Sequence, residues 1–212
     1  MGLSAERLAA DLAALAAIEP AFARGLAAAG HPPPRQRARG HETLLRTIVG
    51  QQVSVASADA MWRRLVAAGL TVPDAIAAAS DEALRAAGLS RQKGGYARHL
   101  SEQVTSGAIE LSALPEDDEA AIAALTRIKG IGRWSAEIYL LFAEGRGDIW
   151  PAGDLAVQIE IGILLGLEAR PSEKLTRTLA EPWRPYRGAA AVFAWHHYGH
   201  RLSGRGGDKA PV

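Results

Sequence analysis

Apolar residues recur at intervals of three and four along most of this chain, and nowhere do they alternate with polar residues between hairpin turns, which confines it to a helical fold. Leu8, Leu12, Leu15 and Ile18 set the pattern: they share one face of a helix, and Pro20 closes it. Residues 1–24 read as an amphipathic helix bearing acidic residues and not as a signal peptide. Pro32, Pro33 and Pro34 then impose an extended linker, because each fixes φ and lacks a backbone N–H. Further helices are predicted at roughly 41–49, 54–68, 73–79, 81–87 and 92–105. Gly50, Gly69, Gly88 and Gly107 stand near their ends, where glycine tolerates the left-handed backbone that stops a helix. After Leu114-Pro115, the acidic run Glu116, Asp117, Asp118 and Glu119 suits a helix start, since carboxylates there face the positive end of the helix dipole. Predicted helices at 119–127, 134–144, 155–165, 172–179 and 185–200 complete an all-α fold.

The expected organisation is two helical subdomains. Residues 39–113 form a central one; the N-terminal helix and linker, 1–38, pack on a second one at 114–202, and the glycine-rich residues 203–212 are expected to be disordered. A cleft between the two is the default location for an active site.

Composition narrows the function by exclusion. A chain of 212 residues, 48% hydrophobic, can bury a substantial core. No stretch approaches the roughly 20 uninterrupted apolar residues needed to span a bilayer, so a cytoplasmic location is expected. The absence of cysteine rules out disulfides, thiolate nucleophiles, cysteine-ligated zinc and iron–sulfur clusters together. A net charge of +1 neither demands nor forbids nucleic acid. Arginines do cluster, at Arg35, Arg37 and Arg39 and again at Arg184, Arg187 and Arg201, although such clusters are ordinarily solvated surface.

The most informative stretch is LTRIKGIGRWSA, Leu125 to Ala136, where one helix runs into Gly130-Ile131-Gly132 and a second begins at once. Two glycines two apart permit a tight reversal and leave the N–H groups of the next helix uncovered, which favours a phosphate there. Lys129 and Arg133 flank the turn and add charge. A dinucleotide-binding fingerprint would need a third glycine and a preceding strand, and neither is present.

With its neighbours included, this stretch resembles the hairpin of the helix-hairpin-helix DNA glycosylases. Ile128 and Ile131 take its apolar packing positions, and Ser135-Ala136 lie where its second helix begins. The similarity extends over residues 42–198, through TIVGQQVSVASA, GLSRQKGGYARHL, DIWPAGDLAVQ and EPWRPYRGAAAVFAW, and is strongest to the 3-methyladenine DNA glycosylase II (AlkA-like) branch, in a compact form without the extra N-terminal β-rich domain of some relatives.

The resemblance implies a monofunctional enzyme that flips an alkylated purine out of double-stranded DNA and hydrolyses its glycosidic bond, leaving an abasic site. The lesion would be 3-methyladenine first, then 7-methylguanine or ethenoadenine. Asp154 takes the position of the catalytic aspartate, although by its place before an apolar run it is equally a helix cap. A carboxylate beside the sugar stabilises the oxocarbenium-like transition state. Asp148, in the same loop, reads as a turn residue. Bifunctional members carry a lysine two residues after the second hairpin glycine; Trp134 stands there instead, so lyase chemistry is not expected. Gly50-Gln51-Gln52-Val53 resembles the wedge loop, with Gln52 the inserted residue where some relatives use leucine.

Trp134 and Trp195 match base-pocket positions; Trp150 and Trp183 read as packing, though Trp150 lies close enough to Asp154 to border the pocket. Ile138 and Leu155 replace two aromatics of the best-known branch, which implies a narrower substrate range. The expected DNA contacts are Gln51, Gln52, Val53, Lys129, Gly130, Ile131, Gly132, Arg133 and Ser135. No cofactor is required, but a structural Na or K ion could sit on the backbone carbonyls of Thr126, Ile128 and Ile131, as the relatives imply. His196, His197 and His200 share a helix face but lack the remaining ligands of a metal site. The expected partner is duplex DNA containing damaged bases, bound by a monomer. The alternative is a non-catalytic helix-hairpin-helix DNA-binding protein, in which Asp154 is dispensable.

Overall fold

The computed structural model describes residues 3–203, and these contain helices and connections but no strand. The expected tail therefore lies outside the described residues, apart from Ser203, which ends the last helix. In chain order the helices are α1 (Ala5–Ile18), α2 (Pro20–Ala29), α3 (His41–Gly50), α4 (Val55–Ala67), α5 (Pro73–Ala78), α6 (Asp81–Ala86), α7 (Arg91–Thr105), α8 (Asp118–Thr126), α9 (Arg133–Tyr139), α10 (Leu155–Leu164), α11 (Glu173–Leu179) and α12 (Arg187–Ser203). A π-helical stretch, Leu140–Glu144, follows α9, and a short 3-10 turn, Glu181–Trp183, precedes α12. None of these helices is long and apolar enough to cross a membrane.

Several helices start where a side chain can answer the first free N–H groups. Ser4, Ser54, Ser80, Ser90 and Ser172 each accept a hydrogen bond from the amide three residues on, and Asp117 does the same for α8. The expected helix at 54–68 thus starts one residue later, because Ser54 is its cap. Pro20 was expected to end helical structure, yet it opens α2 at the first turn, where its missing N–H costs nothing. Ile18, expected on the buried stripe, is 43% exposed. Pro185 was expected to begin the last helix; it follows a cis peptide bond and α12 starts at Arg187.

The chain divides into two compact units: Arg37–Tyr139, and the residues up to Gln36 together with those from Leu140 on. The hairpin therefore belongs with α3–α7, whereas the sequence drew the boundary after Ala113. In the first unit α7 is the central helix, packing on α3, α5 and α6. Leu44, Leu45, Ile48, Leu65, Ile76 and Leu100 are fully buried there. His41 is buried as well: Ser101 Oγ donates to the Ala97 carbonyl and so accepts from His41 Nε2, leaving Nδ1 without a hydrogen-bond partner. Burial depresses its pKa.

In the other unit α1 packs on α2 and α12, and α10 on α12. Leu12 and Leu15 are fully buried, and Phe22 sits edge-on to Trp183 and Phe193 at 5.0 and 5.9 Å. The C-terminal arginines serve this unit internally. Arg184 and Arg187 both bind Asp148, and Arg201 with His197 holds the fully buried Glu160. Burial pushes the Glu160 pKa up, but the hydrogen bonds from His197 and Arg201 outweigh it and hold the carboxyl below its usual range.

Candidate functional site

The hairpin is built on two glycines with different reasons to be glycine. Gly130 has φ 87°, and a Cβ there would run into the ring of Tyr96 on α7. Gly132 has ordinary backbone, and nothing lies within 4 Å of the place its Cβ would take. The first glycine lets the turn form; the second keeps its outer surface bare. Ile131 N–H donates to the Ile128 carbonyl at 3.0 Å, and both isoleucine side chains are buried, as the resemblance implied.

The segment after α3 faces this turn. Gly50, expected to terminate α3, lies inside it; the left-handed residue is Gln52, at φ 55° the only non-glycine with positive φ among the described residues. That conformation costs an L side chain about 1–2 kcal/mol. Gln52 and Val53 are exposed. Gln51 is not: its Nε2 donates to the Gly130 carbonyl at 2.7 Å, so this side chain is turned to the hairpin and not outward to DNA as the sequence suggested. Gln51, Gln52, Val53, Lys129, Gly130, Ile131 and Gly132 border one cavity of about 680 Å³.

Three further lining residues on α7 were missed by the sequence reading, although the signal was there. Gln92, Lys93 and Tyr96 lie at the start of α7, in the quoted stretch GLSRQKGGYARHL, and recur at helical spacing. Lys93 Nζ donates to the Val49 carbonyl at 2.8 Å, and burial lowers its pKa. One turn past Tyr96, His99 Nδ1 accepts from the Lys129 N–H at 3.1 Å.

Other expected DNA contacts fall differently. Arg133 is committed within the fold: Nη1 and Nη2 grip the Glu119 carboxylate and Nε donates to the buried Glu137 at 2.9 Å. Its charge is largely cancelled before any phosphate arrives. Ser135 is 6% exposed, so its side chain faces the core. Trp134 is 40% exposed, whereas Ile138, one turn on, is buried at 5%. Thr126, Ile128 and Ile131 border the same cavity, and their neutral carbonyls are a donor set suited to a hard monovalent cation.

In the other unit, Asp154 caps α10: its Oδ1 accepts from Val157 N–H at 3.0 Å, and it is half-buried between buried Ala152 and exposed Leu155. The loop before it is pinned by Gln158, whose Nε2 donates to the Ala152 carbonyl at 2.8 Å. Trp150 does not border open space. It is buried edge-on against Trp183 at 5.7 Å with its Nε1 on the Thr176 carbonyl, so it is a packing residue. Trp195 is 5% exposed and tilts against Phe142 at 5.6 Å. Asp148 is held by Arg184 and Arg187, a structural anchor for the loop. His196 bonds the Ala29 carbonyl and His197 the Glu160 carboxylate, and among the described residues no group of His, Asp and Glu is arranged to hold a metal ion.

Comparison with known proteins adds to this geometry. Residues 45–185 match the model of the HhH-GPD superfamily of base excision DNA repair proteins. DNA-3-methyladenine glycosylase 1 of Schizosaccharomyces pombe is 32% identical over 161 residues, spanning 73% of this chain and 71% of that protein. The crystal structure of a DNA-3-methyladenine glycosidase from Bacillus halodurans superposes with a TM-score of 0.79 at 31% identity, covering 89% of each chain. The S. pombe 3-methyladenine DNA glycosylase, solved in complex with abasic DNA, superposes with a TM-score of 0.76 at 28% identity, over 87% of this chain and 94% of that one. A glycine hairpin with a bare outer edge, a strained residue beside it and an aspartate at a helix head thus stand in a chain that belongs to the HhH-GPD superfamily of base excision DNA repair proteins, as one of its DNA glycosylases.

Proposed function

We propose that this protein is a monofunctional glycosylase for alkylated purines, 3-methyladenine foremost, in duplex DNA, and that it leaves an abasic site. The observation that carries the reading is the convergence of the hairpin and the Gln51–Val53 segment on one cavity. A phosphate approaching Gly132 meets backbone with no side chain in the way, where a helix begins. Gln52, exposed and already turned out of the ordinary backbone regions, is the residue that enters the duplex as the nucleotide leaves. Lys129 and Val53 lie alongside.

Trp134, 40% exposed, is the indole on which a cationic base stacks, a contact of roughly 0.5–2 kcal/mol. Trp195 and Leu155 are base-contacting positions of the unit that carries Asp154, and Ile138 one of the hairpin unit; aliphatic side chains at 138 and 155, where aromatics would stack, support a narrow substrate range. Asp154 stabilises the oxocarbenium-like sugar as the neutral base departs, and water adds at C1′. With tryptophan and not lysine at residue 134, no amine is supplied there to form a Schiff base. A monovalent cation on the carbonyls of Thr126, Ile128 and Ile131 would add positive charge beneath the phosphate. The protein works as a monomer, one molecule per lesion.

The test is base release from methylated duplex DNA. The parent frees 3-methyladenine, Asp154→Asn frees almost none and still binds DNA, and borohydride traps no covalent complex. A trapped complex overturns monofunctionality. Binding without release of any base from a panel of alkylated duplexes makes the protein a non-catalytic DNA-binding member of the family.

A further inference from the structure

The Gly50–Val53 segment and the hairpin are joined by a bond between residues 79 apart in the chain. Gln51 Nε2 donates to the Gly130 carbonyl, the carbonyl of the one hairpin residue whose backbone is left-handed. Two residues before Gln51, Lys93 Nζ holds the Val49 carbonyl at the end of α3. The hairpin is braced in turn by His99 on the Lys129 N–H and by the Tyr96 ring against Gly130. Gln52 comes directly after the Gln51 anchor, exposed and strained. The strained Gln52 is exposed, whereas the residues just before it are anchored through the Gln51 side chain and the Val49 carbonyl.

We propose that Gln51 is a positioning residue: its carboxamide ties the inserting loop to the phosphate-binding hairpin, so that gripping the backbone and extruding the nucleotide are the work of one piece. The proposal rests on reading the hairpin as the phosphate site and Gln52 as the inserted side chain. It differs from a direct DNA contact by Gln51 in a measurable way. A contact residue adds its loss to that of Gln52; a strut does not, because once it is gone Gln52 is already out of place.

The experiment uses a duplex carrying an abasic-site analogue with 2-aminopurine beside it, whose emission rises when the strand is unstacked, together with an undamaged duplex of the same sequence. Gln51→Met keeps the side-chain length and removes the donor. It is expected to reduce the emission rise at least about fivefold, to keep affinity for the undamaged duplex within about twofold, and to add nothing further when combined with Gln52→Ala. Gln51→Asn, whose amide is too short to reach Gly130, gives the same result and takes its place if Gln51→Met does not fold by circular dichroism. Normal unstacking by either variant, or effects of Gln51→Met and Gln52→Ala that simply add, overturns the proposal. The underlying reading fails separately if Gln52→Ala alone unstacks the duplex as well as the parent.

Discussion

At the scale of single residues, the observed helix cap and the chemistry proposed for Asp154 are separable by substitution. Asparagine still caps a helix, so Asp154→Asn is expected to leave the melting temperature near that of the parent while base release falls on the order of 100-fold or more. Asp154→Ala loses the same activity and about 1 kcal/mol of stability besides, because the Val157 amide loses its acceptor. The hairpin glycines divide in the same manner. Gly130→Ala forces a side chain into left-handed backbone against the Tyr96 ring and destabilises by at least about 1–2 kcal/mol in chemical denaturation. Gly132→Ala meets no atom, so its melting is unchanged, and the loss appears in DNA affinity. Gln52→Gly is expected to stabilise the protein by up to about 1 kcal/mol, through relief of strain, and to impair base release.

At the scale of elements, Arg133 belongs to the hairpin's architecture more than to its charge. Arg133→Ala removes the cation beside a Glu137 carboxylate whose side chain is only 2% exposed, so stability falls by more than about 1 kcal/mol while the salt dependence of DNA binding barely changes. Lys129→Ala, at an exposed position, should do the reverse. The sequence displayed helix starts well, since serine and aspartate caps are local signals, and it displayed Asp154 and the glycine turn for the same reason. It misread Pro20 because a proline that stops one helix and a proline that opens the next look alike until the flanking cap is known. It could not assign Gln51, whose partner Gly130 lies 79 residues along the chain and follows no periodicity; Arg133 was half legible, since Glu137 stands four residues on at helical spacing while Glu119 on α8 does not. Of the two readings of Trp150 packing holds and the pocket border does not: nearness in sequence to Asp154 does not fix which way an indole points, and Thr176 and Trp183 fix it inward.

At the scale of the whole molecule, two buried groups make stability depend on pH in the same direction. His41 has a depressed pKa in the folded chain, so below its ordinary value of 6.5 the unfolded chain takes up a proton that the folded one refuses, and stability declines as pH falls. Glu160, also held below its ordinary 4.5, extends the loss further into acid. Urea midpoints measured between about pH 7 and 5 should therefore fall, with a slope of no more than about 1.4 kcal/mol per pH unit from His41, and His41→Gln should flatten that part of the curve. The left-handed backbone of Gln52 bears on a different matter, that of time. On the proposed role of Gln52, a probe already set in the free protein would need no rearrangement on meeting the double helix, and the dwell on each sound base pair would be governed by how readily that pair opens. Search along a genome would then be fastest through weakly stacked sequence and slowest where the stack is stiff.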